Sequence, residues 1–293
     1  MDRIKVEQLK KYYGPFRGLE EATFSVKEGE IFGFVGPNGA GKTTLIRLLL
    51  GLINPTSGQA QIDGYSPWNE AVEIYKEVGY LPSEAFFFPE MKVNDVIAFY
   101  RDMRKANQDR VELLCQRFDL DRTKRIRELS FGNRKKLGIV IAMMHEPKLL
   151  ILDEPTTGLD PLMQQAFLDL LLEERKKGAT VFLSSHILSE VEKICDRVAL
   201  IREGVVSHVY DMKEINLLHQ RKISVRPEIQ GTLIPGLTPL EKTEEGMSYS
   251  YEGEIAPLLA FLAKQQISDI TIRESSLEEM FMHFYQKEDP DHV

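Results

Sequence analysis

Two hydrophobic periods alternate along the first 210 residues. Short apolar runs at 31–35, 149–152 and 180–183 have the length and continuity of strands buried on both faces. Between them apolar residues recur three and four apart. One such stripe is Leu45, Leu48, Leu49 and Leu52, and a second is Val93, Val96, Ile97 and Tyr100. A third is Val111, Leu114, Cys115 and Phe118, and a fourth is Leu137, Val140, Ile141 and Met144. That spacing puts each set on one helical face and predicts helices packed on a core. Strands alternating with helices predict a parallel α/β sheet. Three of the four stripes fall within about 90–145, which predicts a helical subdomain inserted there. Glu203-Gly204, between apolar stretches at 198–201 and 205–206, reads as a hairpin turn.

Near Tyr210 the pattern changes. Asp211-x-x-Glu214 is a capping-box pattern and predicts a short linking helix through about His219. Ile223 and Val225 alternate as strand residues do, as do Ile270 and Ile272. Ile255, Leu258, Leu259 and Leu262 share one helical face. Ser276-x-x-Glu279 predicts a last helix with Leu277, Met280, Phe281 and Phe284 along its apolar side. The expected organisation is a domain at 1–210 followed by a small α+β domain at 211–293.

Composition narrows the function classes. The 293 residues carry 37 Lys and Arg against 45 Asp and Glu, a net charge of -8. That acidic balance argues against nucleic acid as a partner, because phosphate backbones need positive surface. The charge is uneven. Residues 211–293 hold 8 basic and 15 acidic groups, whereas residues 91–136 hold 13 basic and 7 acidic. The basic segment reads either as a solvated helical face or as a surface for anionic headgroups. No apolar stretch approaches the ~18 residues of a membrane span, and residues 1–14 lack the apolar segment of a secretory signal. Cys115 and Cys195 show neither disulfide-framework nor zinc-knuckle spacing. The expected location is the cytoplasm.

Gly36-Pro37-Asn38-Gly39-Ala40-Gly41-Lys42-Thr43 fits G-x-x-x-x-G-K-[ST], and it stands between the 31–35 strand and the helix of Leu45. Glycines let the backbone turn tightly and aim successive N–H groups at phosphate oxygens. The helix N-terminus, where Thr43 and Thr44 lie, adds partial positive charge. Lys42 is placed to reach the β and γ phosphates, and the Thr43 hydroxyl to ligate Mg²⁺. No Asn is followed by Lys, so the Asn-Lys-x-Asp guanine reader is missing and ATP is the expected nucleotide. The 149–152 run ends in Asp153-Glu154. Desolvated carboxylates need partners; Mg²⁺ would serve Asp153. Glu154 then lies where a general base activates water beside the γ phosphate.

These motifs are joined by Leu129-Ser130-Phe131-Gly132-Asn133, Gly158-Leu159-Asp160 and Ser184-Ser185-His186. Over about residues 3–210 their order and spacing resemble the nucleotide-binding subunits of ATP-binding cassette transporters. The resemblance implies a P-loop NTPase core with a RecA-like parallel sheet. It implies that Tyr13 stacks on adenine, that Glu154 is the catalytic carboxylate, and that His186 is the switch histidine on the γ phosphate. Asp160 matches the loop that communicates across a dimer. Leu129 to Asn133 matches the signature Leu-Ser-Gly-Gly-Gln, with Phe131 for the first Gly and Asn133 for Gln. Ser130 and Gly132, the positions expected nearest the γ phosphate, are kept. The glutamine expected after Gly79-Tyr80-Leu81-Pro82 is Ser83, which still offers an oxygen towards the metal.

In that family the signature of one subunit closes over the nucleotide held by another. The resemblance therefore implies a head-to-tail dimer, of identical or paralogous chains, that drives separate integral membrane permease subunits from the inner face of the membrane. The stretch 275–281 resembles the tail of ATPase subunits serving bacterial exporters. Phe86-Phe87-Phe88-Pro89 has two readings: at least one ring is exposed for a partner helix, or all three wedge into the helical subdomain. Two rival functions remain, a soluble cassette ATPase acting on nucleic acid or the ribosome, and a weakly hydrolysing regulatory module, suggested by Ser83, Phe131 and Asn133.

Overall fold

The computed structural model describes residues 1–213, 221–243 and 246–274. The expected linking helix beyond Lys213 and the expected last helix, with Leu277, Met280, Phe281 and Phe284, lie outside the described residues.

The chain opens with two long strands, β1 (Asp2–Tyr13) and β2 (Phe16–Lys27), joined only by Gly14-Pro15. So short a link closes an antiparallel hairpin, whereas a parallel pair needs a helical crossover. The two strands accordingly pair antiparallel. Five later strands form the parallel part: β3 (Ile31–Val35), β5 (Val78–Leu81), β6 (Leu149–Asp153), β7 (Thr180–Ser185) and β8 (Arg197–Arg202). They run side by side in the order β8-β3-β7-β6-β5. Every residue of β3, β6 and β7 is buried, which is why these strands read as continuous apolar runs. β4 (Ser57–Ile62) lines the outer side of β1, antiparallel. β9 (Val205–Asp211) returns from β8 through Glu203 and Gly204, both in the left-handed region at φ +49° and +79°, as a two-residue hairpin requires. A single parallel pair, Glu21 with Val205, links β2 to β9 and completes a nine-stranded mixed sheet, parallel from β8 to the β5 edge and antiparallel at the β4 edge.

α1 (Lys42–Leu49) lays Leu45, Leu48 and Leu49 into one core cluster with Phe24, Phe32, Phe34 and Phe182. Those four rings pack with centroids between 5.4 and 6.1 Å apart, the spacing at which aromatic pairs add about 0.5–1.5 kcal/mol each. Leu52, expected on the same helical face, is 56% exposed. The helix has already ended, and Gly51 at φ +63° turns the chain so close to Pro67 that a Cβ would lie 2.1 Å from its carbonyl oxygen. After α2 (Ala71–Glu77) and β5 come α3 (Val93–Arg104), α4 (Gln108–Arg117) and α5 (Phe131–Met143), which form the helical insertion. Val93, Val96, Ile97, Val111, Leu114, Cys115, Phe118, Leu137 and Val140 are all buried there. Much of the basic excess of this segment is neutralised: Arg110 pairs with Glu174, Arg117 with Glu173, Arg122 with Glu112 and Arg127 with Glu90. α6 (Pro161–Lys176) and α7 (Leu188–Ile194) complete the first of two compact units, which ends at Asp211.

The second unit is an antiparallel α+β element. β10 (Arg221–Arg226), β11 (Leu237–Thr243), β12 (Gly246–Tyr251) and β13 (Asp269–Glu274) are ordered β11-β12-β10-β13. α8 (Ile255–Leu262) buries Leu258 and Leu262 with Ile223 and Val225. Ile255 and Leu259 stay 39% and 50% exposed, so the expected four-residue stripe narrows to one i, i+4 pair. Among the described residues no helix is long and apolar enough to cross a membrane.

His145, between α5 and β6, steadies the start of β5: its Nε2 lies 3.3 Å from the Val78 carbonyl oxygen. Its Nδ1 is buried with no hydrogen-bond partner among the described residues. Burial pushes the imidazole pKa down to about 4, and Arg104 pushes the same way. The unfolded chain therefore takes up this proton first, near the ordinary value of 6.5. Stability is intact above that pH and declines as the pH falls from 6.5 towards 4. Urea unfolding at neutral pH and at about pH 5 will show a larger loss for the wild type than for His145→Gln; identical losses would mean that the folded imidazole is free to charge.

Candidate active site

β3 ends at Val35 and the chain turns at once into the loop that leads to α1. No side chain fits at Gly36, where a Cβ would lie 2.2 Å from the Ile201 carbonyl oxygen. Gly41 sits at φ +110°, and a Cβ there would come within 2.6 Å of the Gly18 carbonyl oxygen. Pro37, Asn38 and Gly39 are exposed and Ala40 is buried, so the loop is anchored at one side and open at the other. No side chain caps α1 and no acidic residue occupies its first turn, where Thr43 and Thr44 lie. The positive end of the helix is thus not neutralised from within its own first turn.

Lys42 is 5% exposed and folds back over this loop. Its Nζ donates to the carbonyls of Gly36 at 2.7 Å and Pro37 at 3.1 Å, and lies 3.3 Å from Glu154 Oε1. The Thr43 hydroxyl donates to Asp153 Oδ2 at 2.8 Å. The other Asp153 oxygen accepts from the Ser184 hydroxyl at 2.7 Å, and that hydroxyl in turn accepts from the Glu154 backbone N–H at 3.0 Å. Ser184 enters because β6 and β7 are parallel neighbours with Asp153 opposite it. Glu154 adopts φ +45°, a left-handed conformation costing a non-glycine residue about 1–2 kcal/mol. It brings the carboxylate between Lys42 and His186, whose Nδ1 is 3.4 Å from Glu154 Oε2. Lys42, Thr43, Asp153, Glu154 and His186 therefore meet at the carboxyl ends of the central strands.

Tyr13 stands beside the same loop. Its ring packs so closely on Gly18 that a Cβ there would be 2.7 Å from Tyr13 Cε2, and the Gly18 carbonyl borders Gly41. The ring is 43% exposed, with Lys11 Nζ 5.1 Å from its centroid. Ser130, Gly132 and Asp160 form a second group. Ser130 caps α5 by accepting from the Asn133 N–H at 3.3 Å, and Asp160 caps α6 by accepting from the Met163 N–H at 3.0 Å. Gly158 joins them: a Cβ on Gly132 would lie 2.6 Å from its carbonyl oxygen, and a Cβ on Gly158 itself would lie 2.3 Å from the Phe131 ring. Among the described residues no hydrogen bond or ion pair ties this group to residues 36–44.

Lys135 reaches the site from behind. It is 2% exposed, and its Nζ donates to the carbonyls of Ser83 at 2.9 Å, Pro82 at 3.2 Å and Asp153 at 3.5 Å. Burial pushes its pKa down to about 8, while the Asp153 and Glu154 carboxylates pull it up. The run Arg134-Lys135-Lys136 looks like solvated charge. No local pattern marks Lys135, because the helix beyond it is buried on nearly every side, Leu137, Gly138, Ile139 and Val140 in succession. Ser83 is thus linked to Asp153 through its own carbonyl, and its hydroxyl makes no hydrogen bond to Thr43 or Asp153 among the described residues. Among the described residues no group of three His, Cys, Asp or Glu side chains is arranged to hold a metal ion by itself. The Thr43 hydroxyl and Asp153 carboxylate are hard oxygen donors, a set that suits Mg²⁺ when phosphate oxygens and water complete its shell.

The chain is similar to known proteins in both sequence and fold. The family model for the ABC transporter matches residues 19–157. The bacitracin transport ATP-binding protein BcrA of Bacillus licheniformis is 32% identical over 293 residues, covering 95% of this chain and 96% of its own. Among solved structures, an ATP-binding subunit of an ABC transporter aligns with a TM-score of 0.67 at 30% identity, over 73% of this chain and 91% of that one. CbiO1 of Clostridium perfringens, part of the cbiONQ transporter complex, aligns with a TM-score of 0.62 at 29% identity, over 73% of this chain and 90% of its own. With a phosphate loop, a buried strand-end aspartate and relatives matched over nearly their whole length, the chain belongs to the ABC transporter ATP-binding proteins.

Proposed function

We propose that this chain hydrolyses ATP to ADP and phosphate, as a dimer, to drive export through separate membrane subunits. The observation that carries the reading is the convergence of Lys42, Thr43, Asp153, Glu154 and His186 on one loop. In this reading residues 36–44 wrap the phosphates and Tyr13 stacks on adenine. Thr43 and Asp153 would hold Mg²⁺, with Ser83 contributing at most through its loop, and a bound ion would supply charge stabilisation to the phosphates. Water attacks the γ phosphorus, the bond to the bridging oxygen breaks, and ADP leaves. Glu154 takes the proton of that water, and His186 donates to the γ phosphate.

The Lys42–Glu154 pair makes this chemistry conditional. Glu154 Oε1 is engaged by the Lys42 ammonium at 3.3 Å. When Lys42 turns to phosphate oxygens, Glu154 is released to accept a proton. The second group, Ser130, Gly132 and Asp160, stands on Gly158 rather than on the phosphate loop, so a partner cassette is needed to bring a signature helix N-terminus to each γ phosphate. That partner is an identical or paralogous chain.

The docking surface for the permease in this reading is the apolar groove of about 380 Å³ that includes Phe86, Phe88, Met91 and Phe99. Phe86 and Phe88 are 82% and 76% exposed, and they follow directly on the Ser83 loop. An exposed aromatic cluster of this kind suits an apolar helix of a membrane protein better than a nucleic acid. BcrA, named for bacitracin transport, supports a transport role, and peripheral attachment to the inner membrane face follows from the permease contact.

Glu154→Gln will keep ATP binding and lower steady hydrolysis by at least about 100-fold; hydrolysis at the wild-type rate would remove Glu154 from the reaction. Phe86→Asp with Phe88→Asp will lose the polytopic membrane protein that co-purifies with the wild type from detergent-extracted native membranes, while ATP turnover by the isolated chain persists. Unchanged co-purification would move the docking surface elsewhere.

A further inference from the structure

Lys135 has no role in the hydrolysis scheme above, yet it joins three elements at one atom. It is carried by α5, whose N-terminus holds Ser130 and Gly132. Its ammonium hydrogen-bonds the carbonyls of Pro82 and Ser83, in the loop after β5, and that of Asp153, at the end of β6. Burying an ammonium to 2% exposure is costly, and an apolar side chain of the same length would fill the space without that cost. The compensation is specific: three N–H donors on a compact head meet three carbonyl oxygens. The helix is also held close to that loop. At Gly138 a Cβ would lie 2.8 Å from Leu81 Cδ1 and 3.3 Å from Ala85 Cβ, so α5 packs with little clearance on either side of Ser83.

We propose that Lys135 is a positioning residue for ATP hydrolysis, its ammonium clamping the Ser83 loop and the Asp153 end of β6 to the signature helix. Displacement of α5 then moves the Ser83 loop and the Asp153-Glu154 turn together, and the same loop runs on into Phe86 and Phe88. ATP binding does not depend on the clamp, because the contacts of Lys135 are to residues other than Lys42, Thr43 and the 36–41 glycines. The inference rests on the reading that Asp153 and Glu154 serve hydrolysis.

The test compares wild type, Lys135→Met and Lys135→Gln by ATP turnover and by hydrogen–deuterium exchange across residues 80–88. Lys135→Met will lower kcat by about tenfold or more, with KM for ATP held within about twofold, and will raise exchange in that segment. Lys135→Gln keeps an amide donor and will recover part of kcat; it carries the test alone if Lys135→Met does not fold. Unchanged kcat in both variants, or kcat and KM failing together in step with a lowered Tm, would overturn the clamp as a positioning device. A wild type without turnover refutes the hydrolysis reading instead, and the exchange comparison then decides the clamp: added exchange at 80–88 alone supports it, and none overturns it.

Discussion

A carboxylate buried to 1% exposure at the end of a strand cannot stand alone, and Asp153 keeps its place because two hydroxyls reach it from different elements. Thr43 comes from the first turn of α1 and Ser184 from the last residues of β7. Both arrive only if β3, β7 and β6 lie side by side in parallel, so that the ends of all three strands open on one edge. Strand order, the phosphate loop and the acidic turn are therefore one construction. The Ser184 hydroxyl ties it tighter by also holding the Glu154 N–H, the backbone of a residue kept in the left-handed region.

Two buried lysines organise the charge around that construction in different ways. Lys42 rests on loop carbonyls and on Glu154, partners it can exchange for phosphate oxygens. Lys135 rests on carbonyls of two separate backbone segments that belong to the fold itself. One is positioned to respond to a ligand and the other to transmit a displacement. The signature helix that carries Lys135 packs through Phe131 and Gly132 on Gly158, next to the capped start of α6 at Asp160.

The local parts of this arrangement were legible in the sequence. A glycine loop between an apolar strand and an apolar helical stripe specifies its own geometry, and the acidic pair after 149–152 reads as a strand end, where the structure places Asp153. The stripes of α3 and α4 are buried almost as their spacing implied. What depended on pairing was not legible. Ser184 faces Asp153 only once β6 and β7 are known neighbours. Lys135 hides in a basic run, and only its burial in the fold separates it from Arg134 and Lys136. Phe131, a departure from the signature pattern, finds its place against Gly158, 27 positions later, which no local pattern encodes. Near the β4 edge of the sheet, β1 and β2 pair antiparallel because the link at Gly14-Pro15 is too short for a crossover, a constraint of loop length rather than of hydrophobic period.

The most direct measurement is the affinity of wild type and Lys42→Ala for Mg·ATP by isothermal titration calorimetry, with the fold of both checked by thermal unfolding. Lys42 reaches the loop and Glu154 without contributing to the apolar core, so Lys42→Ala is expected to stay folded and to bind at least about tenfold more weakly. Equal affinity in the two proteins would contradict the assignment of residues 36–44 as the phosphate site, and with it the convergence from which the function is argued.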